Sequence, residues 1–446
     1  MIEEGWRILG GRPLQGEVRP SGSKNGALPT LAAALLVDGE IILHNVPRIA
    51  DVETMLDLLR AFGLDVGERS DGSLRLVNHG LATSSAPEDL VARMRASHYL
   101  LGPVVARLKQ AELPLPGGCD IGDRPVGYLL AGLEALGVEA QVEERRILAR
   151  APRLSGAAVT LDPVYRSPGA TFSVLMAAVL AEGATIIENA SFEPDVISFC
   201  RFLNCAGARI EGIGSPTLTV TGVRALSGGT GSQPVLTHHI NPDRLEAGTF
   251  LCAAAATRGK ITVEGIKASD FEAVVEKLRE SGVEVSEADR EGTDRLKPVL
   301  PAGDEGLHAA CPRRPRAVSV VTEPYPGFPT DLQPPLAAVL AAAKGKSAIR
   351  ESIFDRRLQY AEQLTKMGAK IEVLDSREAA ITGVPRLHAA EVEAHNIRDA
   401  AALVIAALSA EGESTVWGRP FACRGYEAFE DKLRALGARL EAIPRP

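Results

Sequence analysis

A series of short segments pairs charged or nucleophilic side chains with the small residues that open helices, and their chemistry is that of an anion site. In PSGSKNGALPTLAAALL, Lys24 and Asn25 follow Ser21 and Ser23, so an ammonium stands beside the free N–H groups of a helix start. The spacing is not that of a P-loop. Arg95 lies in MRASHYLLGP, and the next loop, LPLPGGCDIGDRPVG, carries Cys119, Arg124, Pro125 and Val126. Its glycines and the framing Pro114 and Pro116 give it the character of a hinged lid. A neighbouring Arg lowers a thiol pKa and Asp120 and Asp123 raise it, so the direction for Cys119 stays open. In SPGAT the amides around Ser167 and Gly169 would suit a phosphate, although plain helix capping explains the same residues. NPDRLEAGTF places Asp243 and Glu246 where the helix dipole favours carboxylates.

Four further segments complete the series: PYPGFPTDLQPPL with Asp331, IFDRRLQY with Arg356 and Arg357, HNIRDAAALV with Asn396 and Arg398, and FACRGYEAFEDKL with Arg424. Convergence of Lys24, Arg95, Arg124, Arg357, Arg398 and Arg424 would bind a phosphate and a carboxylate together, because guanidinium forks pair with both.

The elements that must position these groups recur along the chain. LLRAFGLDV, LEALGVEA, FLNCAGARIE, LRESGVEVS, LTKMGAKIE and LRALGARLE each read as an amphipathic helix end, a small-residue stop and a strand. Gly63, Gly137, Gly207, Gly282, Gly368 and Gly437 stand at the stops, where a helix ends in a left-handed residue. Upstream of most of them an Ala-rich helix runs through a Gly turn into a strand, as in LAAALLVDGEIILHNV and LMAAVLAEGATIIENA; VARLKQAELPLPGG is the divergent copy. Six α/β units of roughly 70 residues follow, with Ala-rich helices suited to burial and amphipathic ones to an outer layer. The Gly/Ser/Pro stretch ALSGGTGSQPV at 225–235 divides them three and three, which predicts a domain over 22–230 and a second over 1–21 and 231–446.

Composition narrows the function classes. Lys and Arg total 49 against 57 Asp and Glu, a net charge of -8, which disfavours sequence-independent nucleic-acid binding. No apolar run approaches the roughly 18–20 residues of a membrane span, and the N-terminus lacks the pattern of a signal peptide, so a cytoplasmic protein is expected. The six cysteines are scattered without zinc or disulfide spacing.

In order along the chain, GGRPLQGEVRPSGSKNGALPTLAAALL, LPGGCDIGDRPV, AEGATIIENASFEPDV, PDRLEAGTF, FPTDLQ and RGYEAFEDKLRALGA resemble the enolpyruvyl transferase family, in particular its UDP-N-acetylglucosamine 1-carboxyvinyltransferase branch, with EPSP synthase more distant. The resemblance implies an inside-out α/β barrel fold of two domains, each of three repeated units with helices inside, and an N-terminal strand that crosses into the second domain. It implies phosphoenolpyruvate and a uridine nucleotide as substrates, no cofactor or metal, no nucleic-acid or membrane partner, and a monomer or weak homo-oligomer. Carried over by position, Lys24 would contact phosphoenolpyruvate and Asn25 the acceptor, while Arg95, Arg124, Arg398 and Arg424 would hold the phosphate and carboxylate, with Arg357 as a further Arg of the site. Cys119 matches the loop cysteine that fosfomycin alkylates, and Asp331 the proposed general base. Ser167, Gly169, Arg124, Pro125 and Val126 would line the uridine diphosphate site, and the Ile353 backbone would meet the sugar.

The chain departs from the family at Asn396, which by the resemblance is a substrate-binding position, and at Cys423, at both of which Asp is usual, and at Gly127, Asp120 and Tyr165–Arg166. These changes concentrate around the acceptor. A second expectation is therefore transfer to another acceptor, such as the ribose of uridine monophosphate in a nucleoside-antibiotic pathway, and a third is a non-catalytic nucleotide-binding paralogue.

Overall fold

The helix stops read from the sequence are left-handed turns. In a computed structural model, which describes residues 4–117, 127–229, 235–288 and 305–445, Gly63, Gly137, Gly207, Gly282, Gly368 and Gly437 all have φ between 85° and 103°. An L side chain there costs roughly 1–2 kcal/mol. The Gly turns of the Ala-rich helices behave similarly at Gly39, Gly183, Gly345 and Gly412. In the other two copies a charged residue takes the left-handed position: Lys109 at φ 63° in the divergent unit, and Arg258 at φ 56° just before Gly259.

Described residues divide into two compact units, one over 4–21 and 242–445, the other over 22–117 and 127–241. The second crossing falls between Asn241 and Pro242, downstream of the boundary read from the Gly/Ser/Pro stretch. The cause is strand Leu236–His239, which pairs in parallel with Val37–His44 and so ties the residues after that stretch to the first domain.

Among the described residues there are three sheets within unit 22–241 and three more within unit 4–21/242–445. One pattern recurs: a short strand runs parallel to a central strand, whose other edge pairs antiparallel with a hairpin. Ala158–Thr160, Ala184–Glu188, Thr217–Thr221 and Arg209–Glu211 stand in that order, as do Val320–Val321, Lys346–Arg350, Glu378–Thr382 and Lys370–Val373. In the divergent copy the parallel strand shrinks to one bridge, Ser85 to Glu112. The N-terminus completes two sheets: Gln15–Val18 is the parallel strand beside Lys260–Glu264, and Glu4–Leu9 lies between Glu413–Trp417 and Arg439–Pro444. Central strands alternate exposed and buried residues, so one face of each sheet is covered.

What covers those faces is a set of helices without a polar side. Arg244–Thr257 and Gln333–Ala341 are buried at every position, and Lys24–Ala33, Leu101–Leu108, Pro168–Ala178 and Ile397–Ser409 at most positions. Small side chains let them approach closely: a Cβ on Gly102 would sit 2.8 Å from the Ser173 carbonyl oxygen of the neighbouring helix. Amphipathic helices such as Ala50–Ala61, Pro194–Cys205 and Glu272–Glu280 each show one buried and one exposed face. Each unit has its own apolar cluster. Cys200, Cys252 and Cys311 are buried in them, whereas Cys205, at the end of an outer helix, is exposed. Among the described residues no helix is long and apolar enough to cross a membrane.

A Cβ added to Gly437 would meet no heavy atom within 4 Å, so the cost of Gly437→Ala is purely conformational. The substitution should destabilise the 4–21/242–445 unit by about 1–2 kcal/mol, read as a lowered midpoint in thermal unfolding; an unchanged midpoint would contradict the left-handed stop.

Candidate active site

Because the buried helices have no polar face, their polar groups collect at their starts. Four of them begin on a capping side chain: Ser23 accepts from Gly26 N at 3.2 Å, Ser167 from Ala170 N at 3.2 Å, Asp243 from Leu245 N and Glu246 N, and Asn396 from Arg398 N and Asp399 N at 3.0 Å each. The other two are entered through a tight helical turn, Arg95–Leu100 ahead of Leu101–Leu108 and Thr330–Leu332 ahead of Gln333–Ala341. Lys24, Arg95, Ser167, Asp331 and Arg398 all sit at these six helix starts.

In unit 4–21/242–445 the charged residues converge on one carboxylate. Arg357 Nη2 donates to Asp331 Oδ1 at 2.5 Å, while Arg398 donates to Asp331 Oδ2 from Nε at 3.0 Å and from Nη2 at 2.8 Å. The arginine side chains are 2% and 5% exposed and Asp331 is 27% exposed, so the carboxylate is the open edge of the cluster. Burial works against the Arg398 charge, but Tyr426 and Asp331 more than offset it and raise its pKa. Its guanidinium lies 5.1 Å from the Tyr426 ring centroid, and the Tyr426 hydroxyl is 3.0 Å from Thr249 Oγ1. Arg424, half-buried, stands two residues before Tyr426.

Glu351 was missed in the sequence, where it reads as one more strand-end charge. Its fully buried carboxylate accepts from Thr322 Oγ1 and Thr330 Oγ1 at 2.9 Å each, Ile353 N at 2.8 Å and Phe354 N at 3.1 Å. The clamp ties the turn carrying Asp331 to the loop carrying Arg357. It also engages the Ile353 amide. The available signal was a Glu directly after a core strand and before two hydrogen-bonding loops.

Asn396 is 1% exposed, and its side chain is used as a helix cap, with Nδ2 3.4 Å from Gln359 Oε1. The same cap is open to Asp, so this departure has a local structural meaning. Asp243 caps likewise, and Glu246 is buried beside Lys432, whose Nζ is 2.5 Å from Oε1 and 2.6 Å from Ser21 Oγ. Burial pushes the Glu246 carboxyl up to about 7, against the pull of Lys432.

In unit 22–241, Lys24 Nζ is 2.6 Å from Asp51 Oδ2, a carboxylate 5% exposed in the first turn of Ala50–Ala61. Asn25 follows, half-buried. Burial lowers the pKa of Arg95, whose carbonyl oxygen lies 2.7 Å from His98 Nδ1. A Cβ on Gly169 would come within 3.3 Å of His98 Nε2, and Tyr99 packs edge-on against Phe172. The Arg95 turn and the Ser167–Gly169 helix start are therefore neighbours, a pairing that sequence distance hides. Cys119, Arg124, Pro125 and Val126 lie outside the described residues.

The profile of the EPSP synthase (3-phosphoshikimate 1-carboxyvinyltransferase) family matches residues 8–433. The chain belongs to the enolpyruvyl transferase family. It is 44% identical over 437 residues to UDP-N-acetylglucosamine 1-carboxyvinyltransferase of Cellvibrio japonicus, covering 98% of each chain. To UDP-N-acetylglucosamine 1-carboxyvinyltransferase 1 of Carboxydothermus hydrogenoformans it is 41% identical, covering 98% of this chain and 97% of that protein. Among solved structures, the enolpyruvyl transferase NikO of Streptomyces tendae superposes with a TM-score of 0.86 at 24% identity over the whole of both chains. EPSP synthase of Acinetobacter baumannii gives 0.70 at 18% identity, covering 99% of this chain and 100% of that one. These two establish a shared α/β fold.

Removing the Glu351 clamp leaves two amides and two hydroxyls short of an acceptor. Glu351→Ala should cost on the order of 3 kcal/mol, with Glu351→Gln losing less; chemical unfolding of both variants checks the order, and a neutral Glu351→Ala would rule out the clamp.

Proposed function

We propose that this protein transfers the 1-carboxyvinyl group of phosphoenolpyruvate to the 3-hydroxyl of UDP-N-acetylglucosamine, releasing phosphate and making a peptidoglycan precursor. The observation that carries the reading is the Asp331 carboxylate held between two buried arginines in a chain 44% identical over 98% of its length to an enzyme named for that reaction. The finer reading of the fold is that each unit is an inside-out α/β barrel, and its support is the triplet of sheets and buried helices in each unit.

In the proposed reaction an acid delivers a proton to the methylene carbon of phosphoenolpyruvate, and the acceptor oxygen bonds to the carbon bearing phosphate. Asp331 takes the hydroxyl proton as that bond forms. The tetrahedral adduct then loses phosphate and a proton from the new methyl group, restoring the double bond on the transferred group. Proton transfers and charge stabilisation suffice, so the proposal includes no metal or organic cofactor. Carried over by position, Lys24 is assigned to phosphoenolpyruvate, Arg95, Arg124, Arg398 and Arg424 to its phosphate and carboxylate, and Arg357 to the site as a further Arg. Asn25, Ser167, Gly169, Pro125, Val126 and the Ile353 carbonyl are assigned to the acceptor nucleotide, and Asn396 to holding the helix start that presents Arg398. Cys119 is assigned to its loop as a reactive thiol.

Asp331 and an incoming anion compete for the same guanidinium groups. A cytoplasmic monomer or weak homo-oligomer completes the proposal.

Phosphate release from phosphoenolpyruvate should require UDP-N-acetylglucosamine, with uridine monophosphate silent; the reverse result would make this a nucleoside-modifying transferase. Asp331→Asn should lower kcat by about 10²–10⁴-fold while UDP-N-acetylglucosamine binding by calorimetry stays within a few-fold, and wild-type turnover would remove Asp331 as the base. Cys119→Ala should abolish covalent labelling by fosfomycin, read by mass spectrometry.

A further inference from the structure

Tyr426 is buried against Arg398 and has no part in the proposed reaction. Its side chain belongs to a residue 2% exposed, and the Arg398 guanidinium carbon lies over its ring, 5.1 Å from the centroid. That distance is within the range of cation–π attraction, which is stronger where water is excluded than on a surface. Asp331 holds one edge of the same guanidinium, through Nε at 3.0 Å and Nη2 at 2.8 Å. The third nitrogen, Nη1, is buried and has no hydrogen-bond partner among the described residues. A buried donor without an acceptor is costly, and a native site that tolerates one calls for an explanation in function.

The tyrosine is itself held from two directions. Thr249 Oγ1 donates to the Leu245 carbonyl oxygen at 2.8 Å, one turn back in the Arg244–Thr257 helix. A hydroxyl has a single hydrogen, so in the 3.0 Å contact between Thr249 Oγ1 and the Tyr426 hydroxyl the phenol is the donor. The phenol keeps that hydrogen, because burial raises its pKa against the pull of Arg398. Phe429, the first residue of the Phe429–Ala435 helix, packs on the ring with 4.7 Å between centroids. The hydrogen bond to Thr249 fixes how far the ring can turn, and Phe429 fixes where it lies. The guanidinium is therefore held along one edge by a carboxylate and at its carbon by a braced aromatic ring.

We propose that Tyr426 is a positioning residue for Arg398, holding the guanidinium so that Nη1, the nitrogen Asp331 does not engage, is the donor offered to the anionic co-substrate. On the reading above that anion is phosphoenolpyruvate, and the inference rests on that reading. Tyr426 acts through Arg398, and Thr249 acts through Tyr426.

The test is KM for phosphoenolpyruvate at saturating UDP-N-acetylglucosamine in the wild type, Tyr426→Phe, Tyr426→Leu and Thr249→Val. Tyr426→Leu should raise KM by about three- to tenfold, the loss of one largely desolvated cation–π contact, with kcat changing less and calorimetric affinity for UDP-N-acetylglucosamine unchanged. Tyr426→Phe keeps the ring and should give a smaller rise. Thr249→Val removes the acceptor of the phenol hydrogen, so the double variant Tyr426→Phe/Thr249→Val should be no worse than Tyr426→Phe alone. Should Tyr426→Leu fail to fold, the Phe and Val variants carry the same test.

Phe429→Leu separates positioning from plain packing. Among the described residues, the ring contacts of Phe429 are with Trp6, Phe250 and Tyr426 and not with Arg398. It should lower the melting temperature and leave KM for phosphoenolpyruvate near the wild-type value. A rise in KM as large as that of Tyr426→Leu would make the tyrosine a merely structural residue and overturn the proposal. An unchanged KM in the Tyr426 variants of an enzyme that releases phosphate normally also overturns it and leaves the reaction standing. A wild type that releases no phosphate overturns the reaction, and the role of Tyr426 falls with it.

Discussion

A helix buried on all sides can keep polar groups only at its ends, and that constraint organises this molecule. The Arg244–Thr257 and Gln333–Ala341 helices have no exposed residue, and the four others like them have few. Their first N–H groups must find partners, and they do so through Ser23, Ser167, Asp243 and Asn396 or through tight entry turns. Those same few positions carry the cations and the carboxylate of the candidate site. Capping and ligand binding are therefore not competing descriptions of Ser167 or Asn396, because one helix start supplies both the cap and the oriented amides.

Charge burial is the second consequence. Arg357 and Arg398 are almost wholly removed from water, which is tolerable because Asp331 bridges them. The bridge needs two loops held in register, and Glu351 holds them with four hydrogen bonds. Arginines fixed in this way lose little further freedom on meeting a carboxylate or phosphate, which is the value of pre-organisation in charge-stabilising sites. The acidic protein as a whole, with its net charge of -8, thus holds two guanidinium groups at one place without relying on bulk charge.

Much of this was legible in the residues. The six helix stops were visible as glycines at a regular spacing because only a left-handed residue ends a helix in that manner, and their φ values agree. The Ala-rich and amphipathic helices sorted into buried and half-buried ones by pattern alone. Asp331, Arg357 and Arg398 were named as members of one site. Less legible were the partners. Asp51 for Lys24 and Glu351 for the Thr330 turn stand 21 or more residues from the groups they serve, and a lone acidic letter in a helix or strand end carries no mark of burial. The boundary near 241 was misplaced for a similar reason, since a strand after the Gly/Ser/Pro stretch pairs back to Val37–His44.

Local chemistry and periodicity therefore determined the number of repeats, the class of each helix, the positions of the turns and the residue types of an anion site. These depend on neighbours three or four residues away, which a sequence displays directly. Tertiary structure alone decided which charges meet. Asp331 is shared by two arginines, Asn396 turns inward to cap, and Asp399 is stripped of water. Electrostatic energy depends on distance and on exclusion from solvent, and neither quantity exists until the chain has folded.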